Sequence, residues 1–367
     1  MCGTVGMFVG CSALSYCPRR LLRAPSPDPG TAQGTEGGET SAEADGADPA
    51  VASGEPAPYR SPFRSWYERS SVRSAPRRLL DADPRDGGPA PWLFPPDLVP
   101  VTRHPLVRDL PAPQFQEVLV QHLYRYLDFT AKLEYLVVNR TVLGIARGTV
   151  GVPVPGEMRL DAYKMYCDEA YHALFSADLA DQVQAVTGTT PRLPGEPFFL
   201  RRLSHLLAEL PAGERPLAEL LFVIVSETLI SASLAEIPQR EAVAPAVTGT
   251  IRDHALDEGR HHAYFAHFLH RLWAHLEPAE RETAGRLVPA LMDAFLRPDL
   301  DALREELTAY ELTGDDAEQV LAEVYTPEVL SSHARATSQQ TRRYFRELGA
   351  FESAAARDAL AAYGLLD

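Results

Sequence analysis

The sequence predicts an all-α protein with a bundle of long helices at its centre. From Gln114 onward, apolar residues recur at intervals of three and four, the spacing that places them on one face of a helix. No segment alternates with the two-residue period of a strand, and no repeat of fixed length is present. We therefore expect helices packed on helices rather than on a sheet.

Four long helices form the predicted bundle. The first carries an apolar stripe that includes Leu119, Leu123, Leu127 and Val138. The other three are expected at residues 158–183, 215–237 and 244–276. Helix 215–237 stops before a proline, because the residue before a proline disfavours the helical conformation. Shorter helices are expected at residues 196–210, 278–296, 299–311, 315–323, 327–347 and 352–364.

The beginning of the chain differs in composition. Residues 25–58 combine proline, glycine and small acidic residues with very few groups to bury, which predicts disorder. Residues 59–113 remain rich in proline but gain aromatic residues and arginines, and we expect an extended segment that partly wraps the globular body. The predicted organisation is a disordered or extended segment over residues 1–95 and a helical domain over residues 96–367.

Composition excludes several classes of function. The net charge is −15, with 50 acidic against 35 basic residues, so a nucleic acid is not expected as a partner. No run of about 18 apolar residues could cross a membrane. The 4 cysteines show neither a disulfide framework nor the spacing of a zinc site. We expect a soluble, cytoplasmic protein.

Two Glu-x-x-His pairs give the first chemical signal. Glu169 and His172 form one pair, and Glu258 and His261 form the other. Three residues apart on a helix, the two side chains of a pair lie on the same face, one turn apart. A carboxylate and an imidazole so placed can bind one metal ion together. A single pair arises often by chance, and a solvated surface pair is its ordinary interpretation.

Two further glutamates change that interpretation. Glu134 and Glu227 each interrupt an apolar stripe, where an ionised carboxylate costs several kcal/mol without a partner. A buried ion pair with Arg140 or Arg252 is the alternative explanation. Taken together, four helices carry Glu, Glu-x-x-His, Glu and Glu-x-x-His in chain order, which is the arrangement of di-iron and di-manganese carboxylate bundles. Oxygen and imidazole ligands favour iron, with manganese as the second choice.

Residues around these candidates could support the site. Asp168 and Asp257 each precede a glutamate of the pairs and point toward a neighbouring helix, where an aspartate can accept the free N–H of a histidine ligand. A solvated aspartate is the alternative. Thr130, Val223 and Ser231 lie one turn from the glutamates and are candidates to line a substrate cavity, with plain core packing as the alternative.

A family resemblance adds to this interpretation. The segment Asp257–His261 has the D-E-x-R-H form common in ferritin-like, oxygen-activating di-iron proteins, and His254 stands four residues before Glu258. With this additional histidine, residues from about 100 to 347 resemble the p-aminobenzoate N-oxygenase (AurF-like) family. The resemblance implies a ferritin-like helical bundle with additional helices and a disordered N-terminal extension. It implies seven metal ligands, which are Glu134, Glu169, His172, Glu227, His254, Glu258 and His261.

The resemblance also implies an activity. A non-haem di-iron N-oxygenase binds two iron ions and uses O2 as co-substrate. It oxidises the amine nitrogen of a small molecule to hydroxylamine, nitroso or nitro products, here in natural-product biosynthesis. Its partners are the amine and a redox protein or other external electron donor, and a homodimer is compatible with its size. Two alternatives remain, a di-iron carbon hydroxylase or desaturase and a non-catalytic ferritin-like iron-binding protein, although storage ferritins are shorter.

Overall fold

The computed structural model describes residues 58–81, 91–234, 237, 240–310 and 312–366, except for the side chains of residues 231–233. Within these residues the backbone forms helices and no β-strand, and one isolated bridge joins Trp92 to Val243. The prediction of an all-α fold is confirmed. Across the same residues, we find no helix with both the length and the apolar character that a bilayer crossing requires.

In chain order the helices are α1 (Trp66–Arg69), α2 (Ser71–Ser74), α3 (Pro105–Arg108), α4 (Ala112–Leu133), α5 (Asn139–Arg147), α6 (Gly156–Thr187), α7 (Phe198–Glu209), α8 (Arg215–Leu234), α9 (Pro245–His275), α10 (Pro278–Leu296), α11 (Leu300–Thr308), α12 (Gly314–Val324), α13 (Pro327–Glu347) and α14 (Ala354–Ala362). A π-helical turn, Glu134–Val138, joins α4 to α5. Two short 3-10 helices, Pro96–Leu98 and Pro100–Arg103, precede α3. The long helices begin and end within a few residues of their predicted limits.

Local sequence explains where the long helices stop and start. Gly148 ends α5 and Gly188 ends α6, with φ angles of 69° and 70° that only glycine adopts without strain. Pro245 is the first residue of α9. An N–H at that position has no partner within the helix, so a proline costs no hydrogen bond there. These signals fix α6 and α9, the two helices that carry the Glu-x-x-His pairs.

The central bundle consists of α4 with α5, α6, α8 and α9. Helix α8 is its most apolar member and packs against α9, α10 and α13, with fully buried residues such as Phe222 and Leu229. Helix α6 packs against α4, α5 and α9. The four helices therefore enclose one apolar interior, and any polar group within it needs a partner.

Residues 58–81, which we call the strap, lie across α6 and α9. The strap contains α1 and α2, and its Phe63 and Trp66 are buried in the core. The predicted boundary at residue 96 thus separates residues that the structure packs together. Aromatic residues isolated between prolines give no periodic signal, which is why the sequence did not reveal these anchors. Residues 1–57 and 82–90 of the predicted N-terminal segment lie outside the described residues.

Candidate metal centre

Seven buried side chains meet between the four bundle helices. Each is at most 1% exposed. Their potential ligand atoms form three groups, each within 4.8 Å, namely Glu134, His172, His254 and Glu258; Glu169, His172, Glu258 and His261; and Glu134, Glu169 and Glu227. These are the seven residues implied by the family resemblance. The structure brings them together, and their role as metal ligands stays a prediction.

Glu134 projects from an irregular part of the backbone. It is the first residue of the π-helical turn between α4 and α5. Such a turn inserts an extra residue into the helix, and π-helical turns are frequent at functional sites. The apolar stripe predicted the helix but gave no sign of this turn, because its period continues on both sides.

The two histidines of the pairs share one orientation. His172 places Nδ1 2.9 Å from a carboxylate oxygen of Glu169 and Nε2 3.1 Å from Asp257. His261 places Nδ1 2.8 Å from Glu169 and Nε2 3.2 Å from Asp168. An ionised carboxylate only accepts, so each Nε2–H donates to an aspartate and each Nδ1 faces the glutamates.

Each aspartate therefore binds a histidine of the other helix, so the hydrogen bonds cross between α6 and α9. Asp168 on α6 accepts from a histidine of α9, and Asp257 on α9 accepts from a histidine of α6. This places both aspartates where the sequence predicted a supporting role. Because the bonds cross between the helices, they also fix the position of one Glu-x-x-His pair relative to the other.

Groups from the strap donate further hydrogen bonds to both aspartates. The indole N–H of Trp66 donates to the two oxygens of Asp168 at 2.8 and 2.9 Å, and the Ser70 hydroxyl donates to the same carboxylate. The Ser71 N–H and hydroxyl donate to Asp257, which also binds the Arg260 guanidinium. Sequence reasoning missed the strap residues. They stand about a hundred residues or more from their partners, and no local pattern links them.

His254 belongs to the interior and not to the helix surface. Its Nε2 lies 3.2 Å from Glu258 and 3.6 Å from Glu134. Its ring centre is 4.4 Å from that of His172, and the Phe175 ring packs beside both. The polar neighbours in sequence had allowed a surface histidine, but the ring is 1% exposed. The third histidine is therefore placed to bind the same centre.

The charges of the cluster favour the binding of cations or protons. Burial and the charges of neighbouring glutamates raise the pKa values of Glu134 and Glu227 well above the usual value. Burial opposes protonation of His172, but Asp257 and Glu169 outweigh it and raise the pKa of His172 to about 10. The same balance raises the pKa of His261. Without metal, the cluster thus retains protons that offset its negative charge.

The donor set fits two metal ions. Both carboxylate oxygens of Glu134 and of Glu227 are buried without a hydrogen-bond partner among the described residues, which is costly unless a cation binds them. The alternative explanation, a buried ion pair with an arginine, would require a hydrogen bond to these oxygens, and neither glutamate has one among the described residues. Arg140, one of the two arginines considered, is exposed. Carboxylate and imidazole donors without cysteine suit iron or manganese.

Two cavities are lined in part by α8, at different positions along that helix. The Thr130 cavity, of about 300 Å³, includes Thr130, Tyr126 and Ile230 in its lining. The Val223 cavity, of about 280 Å³, includes Val223 and Leu136. Thr130 and Val223 were candidates to line one substrate cavity, but the structure places them in two. The cavities are separate because Val223 and Ile230, which line one each, stand two turns apart along one face of α8. The Ser231 side chain lies outside the described residues.

The Thr130 cavity approaches the glutamates. Thr130 precedes Glu134 by one turn on α4, and Ile230 follows Glu227 by about one turn on α8. Burial raises the pKa of Tyr126, and the charges of Glu258 and Glu134 add to the effect, so its hydroxyl lies within electrostatic reach of the cluster. This cavity is the better candidate for a substrate.

Comparison with known proteins agrees with this geometry. The family model described as P-aminobenzoate N-oxygenase AurF matches residues 61–349. A 4-aminobenzoate N-oxygenase of Streptomyces thioluteus is 26% identical over 279 residues, covering 71% of this chain and 82% of the relative. The match begins within the strap and includes all seven clustered residues, and it confirms the predicted resemblance. The chain therefore belongs to the p-aminobenzoate N-oxygenase family and is an oxidoreductase of the N-oxygenase type.

Proposed function

We propose that this protein holds two iron ions in the seven-residue cluster and uses O2 to oxidise the amine nitrogen of a small aromatic molecule. The observation that carries the proposal is the convergence of four buried glutamates and three buried histidines at one point. The family match supports N-oxygenation as the type of reaction. The name of the relative supports an arylamine as the substrate class. A reducing, cytoplasmic location remains part of the proposal.

Each ion has its own set of ligands in this proposal. One ion would be held by Glu134, His172, His254 and Glu258. The other would be held by Glu169, Glu258 and His261, with Glu227 3.9 Å from Nδ1 of His261. Glu258 belongs to both sets, and Glu169 also lies near Glu134 and 2.9 Å from Nδ1 of His172, so these two carboxylates would be available to either ion. When bound, the iron pair supplies the redox equivalents and the site at which O2 is activated.

Residues of the chain orient the ligands. Asp257 and Asp168 hold the Nε2–H of His172 and His261, which leaves each Nδ1 lone pair free for metal. Both aspartates are fully buried, so the histidine rings cannot turn toward water. The interior around them is apolar, which excludes water from the reacting groups.

The substrate would enter through the Thr130 cavity. A cavity of about 300 Å³ lies at the lower end of the range for small-molecule sites. Phe129, Phe198 and Phe295 give it aromatic walls, which suit the flat ring of an arylamine. The amine would then point toward Glu134 and Glu227, the end of the cavity nearest the cluster.

The test loads the protein with ferrous iron without oxygen, measures iron by chemical analysis, and adds O2 with a panel of arylamines. We expect about two irons per chain and hydroxylamine, nitroso or nitro products by mass spectrometry. The variant His254→Ala should lower product formation at least tenfold, because a buried imidazole donor is lost. The matched control is His270→Ala, which removes an exposed histidine from the same helix.

Other outcomes distinguish the alternatives. Oxidation at carbon, with the nitrogen unchanged, would indicate a hydroxylase or desaturase. Binding of two irons without oxidation of any amine or carbon would indicate an iron-binding protein. Failure to bind iron or manganese would refute the metal centre itself.

A further inference from the structure

The outer face of the strap lies directly above a chain of contacts that ends at the metal centre. Trp66 donates to Asp168, and Asp168 accepts from Nε2 of His261. Nδ1 of His261 faces the glutamates of the cluster. From the indole inward, each step is therefore a hydrogen bond between buried groups.

The outer end of this chain reaches solvent through one aromatic contact. The Tyr67 and Trp66 rings meet edge to face, with centroids 5.1 Å apart. Trp66 is 7% exposed, whereas Tyr67 is 55% exposed. A hydrogen-bonded and aromatic path couples two redox groups better than an equal length of empty space, so this path suits electron transfer from the surface.

The surface around Tyr67 is basic although the whole chain is acidic. Exposed arginines of the strap are Arg60, Arg64, Arg69, Arg73 and Arg77, and Glu68 is an exposed acidic residue between them. Arg77 forms an ion pair with Asp178. Positive charge thus predominates among the exposed residues of the strap, in a chain whose net charge is −15.

The chemistry of the neighbouring helix fits a protein partner. Nζ of Lys164 on α6 lies 5.6 Å from the centre of the Tyr67 ring. Leu160 and Tyr163, on the same helix, are exposed. Arginine and aromatic side chains at one surface are typical of protein interfaces.

We propose that the strap surface around Tyr67 is the docking site of an acidic one-electron donor protein, and that Trp66, Asp168 and His261 form the route to the metal centre. This proposal rests on the proposed di-iron function. In each encounter the donor loses one electron and one ferric ion gains it. Two encounters reduce both ions to the ferrous state, and the side chains of the route end unchanged. Asp168 and Trp66 also position His261, so their tests must separate electron transfer from metal binding.

Other occupants fit this surface less well. A second copy related by a twofold axis would place arginines against the same arginines. A nucleic acid would meet an acidic chain beyond the strap. An acidic electron-transfer protein satisfies both the charge of the surface and the path beneath it.

The experiment measures reduction of the diferric protein by stopped-flow absorbance, without oxygen, substrate or turnover. The donors are a reduced acidic [2Fe–2S] ferredoxin and a reduced acidic flavodoxin, with reduced methyl viologen as a small cationic donor. With at least one of the two proteins, we expect the bimolecular rate to fall at least tenfold as ionic strength rises, because salt screens the attraction. Methyl viologen is a cation, so its dependence on ionic strength reports its attraction to the acidic chain as a whole and not to the arginines of the strap.

Charge variants locate the surface. Arg64→Glu with Arg69→Glu should lower the rate with the acidic donor about tenfold or more, and leave reduction by methyl viologen within about twofold. The matched control is Arg108→Glu with Arg343→Glu, which changes net charge equally at exposed positions outside the strap. Trp66→Phe keeps an aromatic ring of smaller size and removes the indole N–H, and should slow reduction by the protein donor while iron content stays at two per chain.

Several results would overturn the proposal. These are an equal effect of both charge pairs, no reduction by either acidic protein, or loss of iron in Trp66→Phe that accounts for its slower reduction. A rate that rises with salt would mean that acidic residues of the chain itself cover the arginines. A change from dimer to monomer in Arg64→Glu/Arg69→Glu would assign the surface to a second copy. If chemically reduced protein oxidises no amine, the proposed function fails instead, independently of docking.

Discussion

Raising the pH of the metal-free protein tests whether protons occupy the place of the metal ions. The pKa of His172 is raised from 6.5 to about 10 in the folded state. Between about pH 7 and about pH 9 the folded protein therefore keeps a proton on His172 that the unfolded chain releases. The stability that this proton provides is fully present below the unfolded pKa and is lost as pH rises toward the folded pKa.

The size of the effect follows from linkage. One proton retained by the folded state alone costs about 1.4 kcal/mol of unfolding free energy for each pH unit. Over two units, His172 alone accounts for a loss of about 3 kcal/mol, and the raised pKa of His261 acts in the same direction. The raised pKa values of Glu134 and Glu227 add to the loss, because the unfolded chain ionises these groups at lower pH.

The assay is urea denaturation of the chelator-treated protein at several pH values, followed by circular dichroism. We expect the free energy of unfolding to fall with pH, and His172→Gln to weaken the slope. With ferrous or manganous ions present, the slope should weaken or reverse, since metal binding displaces protons. Stability that is constant or rises between about pH 7 and about pH 9 without metal would refute this account of the cluster.

Three further predictions concern single contacts. Asp257→Asn should lower metal affinity about 10- to 100-fold in a competition assay with a chelator, because the ring N–H of His172 then donates to a neutral amide oxygen instead of a carboxylate; unchanged affinity would contradict this. Gly285→Ala should lower the unfolding free energy by about 1–3 kcal/mol, since a Cβ there overlaps a backbone carbonyl of the turn after α13, whereas Gly259→Ala meets no atom and should not destabilise. Arg125→Met should cost about 3–5 kcal/mol in thermal or urea denaturation because it leaves Glu306 buried without its charge partner. Adding Glu306→Leu should restore most of that loss, and a double variant as unstable as the single one would count against the pair.

The strap and the metal centre are linked through the same two aspartates. Asp168 and Asp257 each bind a histidine on one side and a strap residue on the other. Folding of the strap and ordering of the histidines are therefore linked through two buried carboxylates. The family match begins at residue 61, so it includes the strap residues that bind the two aspartates.

The sequence predicted the helices and their order because each depends on local information. Apolar periodicity, Gly148, Gly188 and the prolines determine where the long helices begin and end. The candidate ligands were also visible, since Glu-x-x-His spacing places two side chains on one helical face and a glutamate within an apolar stripe requires a partner. The resemblance to the family rested on His254 together with that pattern, and the family match established membership.

Tertiary structure decided what lies between the helices. The crossed bonds of Asp168 and Asp257, the π-helical turn at Glu134 and the separation of the two cavities depend on how whole helices pack. The strap is the clearest case, since Trp66 meets Asp168 across 102 residues of chain. A hydrogen bond at that separation forms only when packing brings both groups into one dry interior, and no local periodicity encodes it.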